Sequence, residues 1–589
     1  MAGYQTRMNR RDFLKLMGTF AATSAAVAAC APESVPGPSP TQMILPVDPT
    51  AAPPEPVPGI PLPSVSLGII ALNRMGFGPR PGDLEAFHAL GSTDEERLRA
   101  YVTQQLNPES IDDTEFESRY TAAGFETLHK TQDELYFDHI ANNQYDANDD
   151  AYWEWYGKPA TELVEGTFLR AVYSSRQLVE VLADFWHNHF NVYLWQDEGV
   201  PLIVSYNRDV LRAHMLGNFR QMLEAVATHP SMLYYLNQNN SSDAGPNENF
   251  ARELFELHTL GAENYLGVRD PNTVEKARVE PGRNDASGIA IGYVDNDVYE
   301  AARALTGWRV DDDLYEYEDG VEKSGRFIYY KPWHDRFNKL ILGKYIPADQ
   351  PDMQDGRDVL DLLANHPGTA RHIARKLARR FISDTPPDSV VEAAAATFME
   401  HRASPDQLKR VVETILLCPE FSQTWGQKIK RPFEAAVSMM RALNTDFTRL
   451  PGGIPWICSL MGQPLFERRS PDGYPDVKES WANSMSLLYR WNFAVGISEN
   501  WMDDEDQQRF IRTDLPGQTP PELRTAESLA DFWVQRLLSR PMAEADRQAV
   551  ISVMAQDYGP QDQLPEDHVS YVLPGMVEAI LMSPDFQWK

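Results

Sequence analysis

The segment NENFARELFELHTLG, residues 247–261, holds the densest set of side chains that could do chemistry. An α-helix turns by about 100° per residue, so three polar residues of this segment fall on one stripe. These residues are Asn249, Glu253 and Glu256. Two carboxylates and an amide on one face could bind a hard divalent cation or carry out acid–base chemistry. The alternative is a solvated face on which Arg252 pairs with Glu256, four residues later.

Asn247 and Gly261 are suited to begin and end this helix. An asparagine side chain caps free backbone N–H groups at a helix start, and a glycine readily ends a helix. In a regular helix His258 points away from Glu256, so we do not expect the two to share a metal ion.

A second candidate is FWHNHF, residues 185–190, which contains His187 and His189. In an extended backbone the two rings lie on one face and could form a His-x-His pair of metal ligands. In a helix they diverge by about 160°, and both histidines then have a structural role.

A third candidate is the dipeptide His334–Asp335, which follows a predicted β-hairpin. A histidine beside an aspartate at the end of a strand could act as an acid–base pair. The alternative is an ordinary turn.

The amphipathic segment TARHIARKLARR, residues 369–380, carries two basic rows. One row contains Arg371, Arg375 and Arg379, and the other contains Lys376 and Arg380. In so acidic a protein the first row could bind an anion, such as a carboxylated or sulfated glycan. The alternative is internal pairing with the many acidic side chains.

Motifs that define a reaction or a cofactor are absent from the sequence. We find no GxGxxG, P-loop, GxSxG or HExxH motif and no Cys/His cluster of the zinc-binding type. The cofactor is therefore unknown, and a divalent metal at the carboxylate stripe is one option.

Apolar residues recur every three or four positions through most of the chain, which predicts a mainly α, multi-helix globular body. Alternating aromatics in residues 313–330 surround Asp319-Gly320 and predict a β-hairpin, and residues 339–346 could add a strand. We therefore divide the body into an N-terminal helical part at 66–310, a small β element at 311–350 and a C-terminal helical part at 351–589.

The first 30 residues resemble an export signal. Arg10 and Arg11 form a twin-arginine pair, and the apolar run that follows is too short to span a membrane. Val27–Cys30 resembles a lipoprotein cleavage site, which would attach lipid to Cys30 and so give the protein a membrane as partner. The alternative is ordinary cleavage without lipid. Residues 31–65 are rich in proline and predict a disordered stalk.

The charge and the cysteine content of the chain indicate which partners and which covalent links to expect. The 589 residues have a net charge of −31, so we expect no nucleic-acid partner, because phosphate contacts need a basic surface. Beyond Cys30 the chain has only Cys418 and Cys458, which we expect to be buried free thiols.

Several segments, in this order, resemble the family named domain of unknown function 1800 (DUF1800). The resemblance extends from about residue 66 to the end of the chain and rests on LNRMGFGPRPGDL, FWHNHF, NFARELFELHTLG, ARALTGW, HDRFNKLILG, HPGTARHIARKLARRF, KRPFE and MGQPLFERRSPDGYP. The chain departs from the family pattern in a longer loop at 266–293 and in Leu305, where phenylalanine is usual.

The resemblance implies an exported bacterial protein with a twin-arginine signal, but it implies no particular reaction. It also implies a secreted partner resembling the alkaline phosphatase/sulfatase superfamily. The family motifs include six polar candidates: His189, Asn249, Glu253, Glu256, His258 and His334.

Two functions remain open from the sequence. The first is a lipid-anchored binding or scaffold protein that acts with envelope polysaccharide or a partner enzyme. The second is an envelope hydrolase or metal-dependent enzyme with a carboxylate and histidine site.

Overall fold

The computed structural model describes residues 65–142, 145, 150–196, 199–276, 288–312, 323–504 and 507–589. The predicted export signal with Arg10, Arg11 and Cys30, and nearly all of the predicted stalk, lie outside these residues. Within the described part the prediction of a mainly α fold with a small β element is confirmed.

Helices account for most of the described chain. In the first half the α-helices are Leu67–Arg74, Asp83–His88, Asp94–Gln105, Thr114–Ala123, Gln132–Tyr136, Asp150–Tyr173, Gln177–His189, Ile203–Ser205, Phe219–Ala227, Pro230–Tyr235, Glu248–Glu253 and Asp295–Ala304. In the second half they are Gln354–Ala364, Pro367–Phe381, Asp388–Glu400, Gln407–Leu416, Pro432–Ala442, Gly453–Leu460, Ser484–Ser498, Leu515–Gln518, Ala526–Leu538, Glu544–Ala555, Glu566–Met582 and Pro584–Gln587.

Shorter helical turns connect these elements. Three have π geometry: Phe137–Ala141, Tyr206–Arg212 and Leu254–His258. The 3₁₀ turns are Pro108–Ser110, Gln238–Asn240, Ala262–Asn264, Pro271–Thr273, Lys331–Trp333, Pro419–Ser422 and Lys478–Ser480.

The β element consists of two small antiparallel pairs. Strand β1 (Trp308–Val310) pairs with β2 (Phe327–Tyr329), and β3 (Lys339–Ile341) pairs with β4 (Lys344–Ile346). The predicted Asp319-Gly320 turn lies outside the described residues.

Residues 339–346 form a complete hairpin, whereas the sequence suggested a single added strand. Leu342 and Gly343 both have positive φ, 50° and 75°, which is the geometry of a two-residue hairpin turn. Leucine is uncommon in this conformation, so the sequence carries little signal for the turn.

Both halves of the chain contribute to one apolar core. Its largest fully buried side chains include Trp186, Trp308 and Trp533, which come from distant parts of the sequence. Residues 63–589 accordingly group as one compact unit. None of the helices in the described part has the length and hydropathy that a bilayer-spanning segment needs.

Cys418 and Cys458 are free thiols, as the sequence suggested. Cys458 is buried and Cys418 is half-buried.

Candidate functional site

Segments that carry several of the polar candidates meet at one place, which we call the central junction. We define it by seven residues: His189, Glu253, Glu256, His258, His372, Lys376 and Asp472. Backbone carbonyls connect its parts. His189 Nε2 donates to the carbonyl oxygen of His258 at 3.2 Å, and His372 Nε2 donates to that of Leu257 at 3.3 Å.

The loop that carries Asp472 is held by the residues next to His189. Asn188 Nδ2 donates to the carbonyl oxygen of Tyr474 at 2.8 Å, and Asn188 Oδ1 accepts from the Tyr474 backbone N–H at 2.6 Å. Gly473 has a φ of 73°, and a Cβ atom there would lie 2.1 Å from the Asn188 carbonyl oxygen. Only glycine allows this close approach, which positions Asp472 beside the helix ends.

The histidines of FWHNHF lie on a helix, so they diverge as the helical alternative predicts. His187 packs against the ring of Phe466, with ring centroids 4.2 Å apart. His189 points the other way, into the junction, where its Nδ1 atom is buried and has no hydrogen-bond partner. The two histidines do not form a metal-ligand pair.

His189 and His258, the two buried histidines of the central junction, are held neutral. Burial, helped by the positive charge of Lys376, lowers the pKa of His258 to about 3 and the pKa of His189 well below its ordinary value. Among the described residues the Nε2 atom of His258 and the Nδ1 atom of His189 are buried without a hydrogen-bond partner, as are both ring nitrogens of His187. Buried polar atoms of this kind are usually satisfied by another polar group or by an ordered water molecule.

The helix that carries the glutamates begins as the sequence indicated. Asn247 Oδ1 accepts from the backbone N–H groups of Asn249, at 2.8 Å, and Phe250, at 3.3 Å. The α-helix then changes to a π-turn at Leu254–His258. Such turns insert a residue into a helix and often occur at functional sites. The exposed side chain of Asn249 lies on the first turn, outside the junction.

Glu253 and Glu256 are half-buried, and neither has a hydrogen bond or salt bridge to any described residue. Arg252, expected as a partner of Glu256, pairs instead with Asp295 at 3.3 Å. Burial, followed by the negative charge of Glu256, raises the pKa of Glu253. The junction therefore holds two carboxylates without a partner among the described residues.

Lys376 is the cation of the central junction. It is half-buried and makes no hydrogen bond or ion pair within the described part of the chain. Burial, followed by the positive charge of Arg379, lowers its pKa to about 8. At neutral pH the amine is thus largely protonated and available to a ligand.

His372 borders the junction and pairs with Glu263, whose Oε1 atom lies 3.1 Å from His372 Nδ1. Gly261 makes room for this pair. It has a φ of 88°, and a Cβ atom there would lie 2.4 Å from His372 Nδ1. The glycine expected to end the helix therefore also permits this contact.

His334 and Asp335 belong to a different network. His334 Nε2 lies 3.3 Å from Asp355 Oδ2, so its carboxylate neighbour is Asp355 and not the adjacent aspartate. Asp335 pairs with Arg303 at 2.8 Å, and the buried Lys339 bonds Asp355 at 2.6 Å. None of these bonds reaches a junction residue, and the network has the full complement of partners typical of a structural role.

The three arginines of the predicted anion-binding row have different kinds of hydrogen-bond or ion-pair partner. Arg371 pairs with Glu392 at 2.8 Å, and Arg375 lies 3.8 Å from Asp388. Arg379 donates only to the carbonyl oxygen of Asp384, at 3.1 Å. Internal pairing thus accounts for the first two arginines and leaves Arg379 without a carboxylate.

In the described part of the chain no group of three or more His, Cys, Asp or Glu side chains is placed to hold a metal ion. Two surface depressions, of about 500 and about 400 Å³, contain none of the candidate residues. The exposure of the junction residues is graded: Asp472 is exposed, Glu253, Glu256, His372 and Lys376 are half-buried, and His189 and His258 are buried.

Sequence reasoning missed His372, Asp472 and Glu263 as neighbours of the candidates. Asp472 lies in PDGYP, a pattern that turn chemistry alone explains, and its loop is held by bonds between Tyr474 and Asn188, which are 286 residues apart. Lys376 was visible only as a member of a basic row.

The family comparison covers nearly the whole described body. Residues 70–588 match the model of DUF1800, proteins of unknown function. The chain belongs to the DUF1800 family. No curated protein and no solved structure matches it. In this DUF1800 protein the segments FWHNHF, NFARELFELHTLG, HIARKLARRF and MGQPLFERRSPDGYP all contribute to the central junction.

Proposed function

We propose that this DUF1800 protein is exported, anchored to a membrane by lipid on Cys30, and binds envelope polysaccharide at the central junction as a binding or scaffold component. One observation carries the proposal: Glu253, Glu256 and Lys376 are partly buried and have no partner within the described chain.

Partly buried charges in a folded protein need a partner that compensates for their lost hydration. Moving a charge partly out of water is unfavourable unless a partner replaces the lost hydration. Elsewhere the described chain provides such partners, as in the pair Arg212–Glu180 at 2.5 Å. Asp472 lies within electrostatic reach of both Glu253 and Lys376, so the uncompensated charges border the same residue. Such charges are typical of groups that a ligand completes.

The chemistry of the three groups favours a ligand rich in hydroxyl groups. The carboxylates of Glu253 and Glu256 accept hydrogen bonds, and the ammonium group of Lys376 donates them. A saccharide offers both donors and acceptors on adjacent carbons. The half-open position of the junction suits a chain that passes over it.

Location is supported by the sequence. Arg10 and Arg11 resemble a twin-arginine signal, and Cys30 resembles a lipidated cysteine. The family resemblance adds a secreted partner of the alkaline phosphatase/sulfatase type as an expectation.

A second candidate is a hydrolase or metal-dependent enzyme of the envelope. The hydrolase is favoured by the raised pKa of Glu253, because a carboxyl group that holds its proton can act as a general acid, and a second carboxylate, Glu256, follows it on the same segment. In this version Glu253 donates a proton to the leaving group and Glu256 activates water.

The test uses the full chain and polysaccharide isolated from the envelope of its host. We expect Glu253→Gln and Glu256→Gln each to weaken retention on this polysaccharide by about tenfold, because hydrogen bonds to charged groups contribute about 1.5–3 kcal/mol. Glu248→Gln is the matched control, since Glu248 is exposed on the first turn of the same helix.

Equal retention of all three variants would refute binding at the junction. Release of reducing ends by the native protein, abolished in Glu253→Gln, would identify the hydrolase instead. Circular dichroism of each variant confirms that the helices remain folded.

A further inference from the structure

The Pro367–Phe381 helix carries five Lys and Arg side chains. They form two groups, those that pair with a carboxylate and those that do not. Arg371, Arg375 and Arg380 each lie within 4.0 Å of a carboxylate oxygen: Arg371 of Glu392, Arg375 of Asp388, and Arg380 of Glu434 and Asp184. Lys376 and Arg379 have no carboxylate that close among the described residues. The protein has 85 acidic and 54 basic residues, so two adjacent unpaired cations require an explanation.

The acidic residues nearest to this pair are engaged by other cations. Asp472 pairs with Arg468 at 3.1 Å, and Asp476 and Asp384 share Lys428 at 3.3 and 2.6 Å. These three carboxylates are therefore engaged by cations other than Lys376 and Arg379. The negative charges of Asp472 and Asp476 raise the pKa of Lys376 too little to return it to the ordinary value of 10.5. Burial and the charge of Arg379 hold this pKa at about 8.

Unpaired buried nitrogens lie beside the same cations. His189 Nδ1 and His258 Nε2 are buried without partners. The charge of Lys376 lowers the pKa of both histidines, which places them within electrostatic reach of its amine. His189 Nε2 carries the ring proton, which it donates to the carbonyl oxygen of His258, so Nδ1 is a hydrogen-bond acceptor. It can accept from a hydroxyl group of the saccharide, while the anionic group is left to the cations.

The spacing of the two cations suits a single oxyanion. Residues three apart are neighbours on a helix surface, about 5–6 Å apart at Cβ. Lysine offers three N–H donors, and Arg379 retains the donors that it does not use on Asp384. Charge-assisted bonds of this kind are the strong ones in anion recognition.

We propose that Lys376 and Arg379 form an anion subsite of the central junction, which takes a carboxylate or sulfate group carried by the bound saccharide. This inference rests on the proposed polysaccharide binding and makes it specific for acidic chains. The sequence predicted an anion site at Arg371, Arg375 and Arg379. The proposed subsite keeps Arg379 and adds Lys376, because Arg371 and Arg375 pair with carboxylates in the folded protein.

The test compares charged and neutral probes on the full chain by isothermal titration calorimetry. Oligogalacturonate provides carboxylates and its methyl ester is the neutral form. Sulfated dextran provides sulfates, with plain dextran as its neutral form. We expect an acidic probe to bind about tenfold or more tightly than its neutral form. The preferred probe decides between carboxylate and sulfate.

Variants then locate the subsite. Lys376→Met and Arg379→Met should bind the acidic and neutral probes alike, and Lys376→Arg should keep the preference. Arg371→Met is the matched control on the same helix and should behave as the native protein. A preference that survives Lys376→Met, or that is lost in Arg371→Met, would overturn the proposal.

A measurement on the native protein avoids dependence on variants. Acetylation of Lys376 at about pH 8, followed by mass spectrometry, should fall when the acidic probe is added and stay unchanged with the neutral one. No protection by either acidic probe would overturn the subsite. Equal binding of acidic and neutral probes would overturn the subsite alone, whereas no binding of any saccharide would refute the proposed function as well.

Discussion

Glu578 is a carboxylate in an unfavourable environment, and its replacement by glutamine is expected to stabilise the protein above neutral pH. It lies on the Glu566–Met582 helix, which packs against Ser484–Ser498, and its Oε1 atom is buried with no hydrogen-bond partner among the residues that the structure describes. Burial, reinforced by the negative charge of Glu499, raises the pKa of Glu578 from 4.5 to about 7.

The sign of the effect follows from proton linkage. The folded state binds the proton of Glu578 more tightly than the unfolded chain does, because the pKa is higher in the folded state. The contribution to stability is fully present below the ordinary pKa of 4.5 and is lost as pH rises through about 7. A pKa difference of this size corresponds to about 3 kcal/mol, which we reduce to about 1–2 kcal/mol because the side chain is partly exposed.

The assay is calorimetric unfolding of the native protein and Glu578→Gln at about pH 4 and about pH 8. Glutamine stays neutral at both values, and at the lower pH the glutamate is largely protonated in both the folded and the unfolded chain, so the variant should nearly match the native protein there. At the higher pH its midpoint temperature should exceed that of the native protein by about 1–3 °C.

Glu566→Gln is the control, because Glu566 is an exposed residue of the same helix. It should shift the midpoint temperature equally at both pH values. A Glu578→Gln variant that gains nothing between the lower and the higher pH would show that this carboxylate is not destabilised by burial.

Three further predictions test other parts of the molecule. Glu434 is buried and bonds Arg380 and Lys589, so Glu434→Gln should lower the unfolding free energy by about 3–5 kcal/mol; an unchanged midpoint temperature would contradict this. Burial raises the pKa of Cys418 to about 11 and that of Cys458 to about 12, so neither thiol should be alkylated at neutral pH until the chain is unfolded, as mass spectrometry can show. Replacing Arg10 and Arg11 with lysine should retain the protein in the cytoplasm, and Cys30→Ala should free it from membranes; cell fractionation checks both, and unchanged distribution would refute the proposed export and anchoring.

Local patterns predicted the elements well. Apolar spacing indicated the helices, and Asn247 indicated where the glutamate helix begins, because both effects act within a few residues of the chain. The hairpin at 339–346 was less visible, since its turn places Leu342 in a conformation that leucine seldom adopts.

The geometry of the candidate site was harder to predict from the sequence. The change from α-helix to π-turn at Leu254–His258 leaves no periodic signal in so short a segment. Asn249 and Glu253 stay on the regular α-helix, whereas Glu256 falls within the π-turn, so the three residues do not follow one α-helical spacing. Asn249 is exposed and the two glutamates are half-buried.

The amino-acid sequence alone determined the helical character of the body, the family, and the polar residue types available for chemistry, because these depend on composition and short-range spacing. The tertiary structure alone decided which charges find partners. Arg252 bonds Asp295, 43 residues away, while Glu253, Glu256 and Lys376 remain without partners in the described chain. Ion pairing depends on distances of a few ångströms between segments far apart in sequence, and no local pattern encodes them.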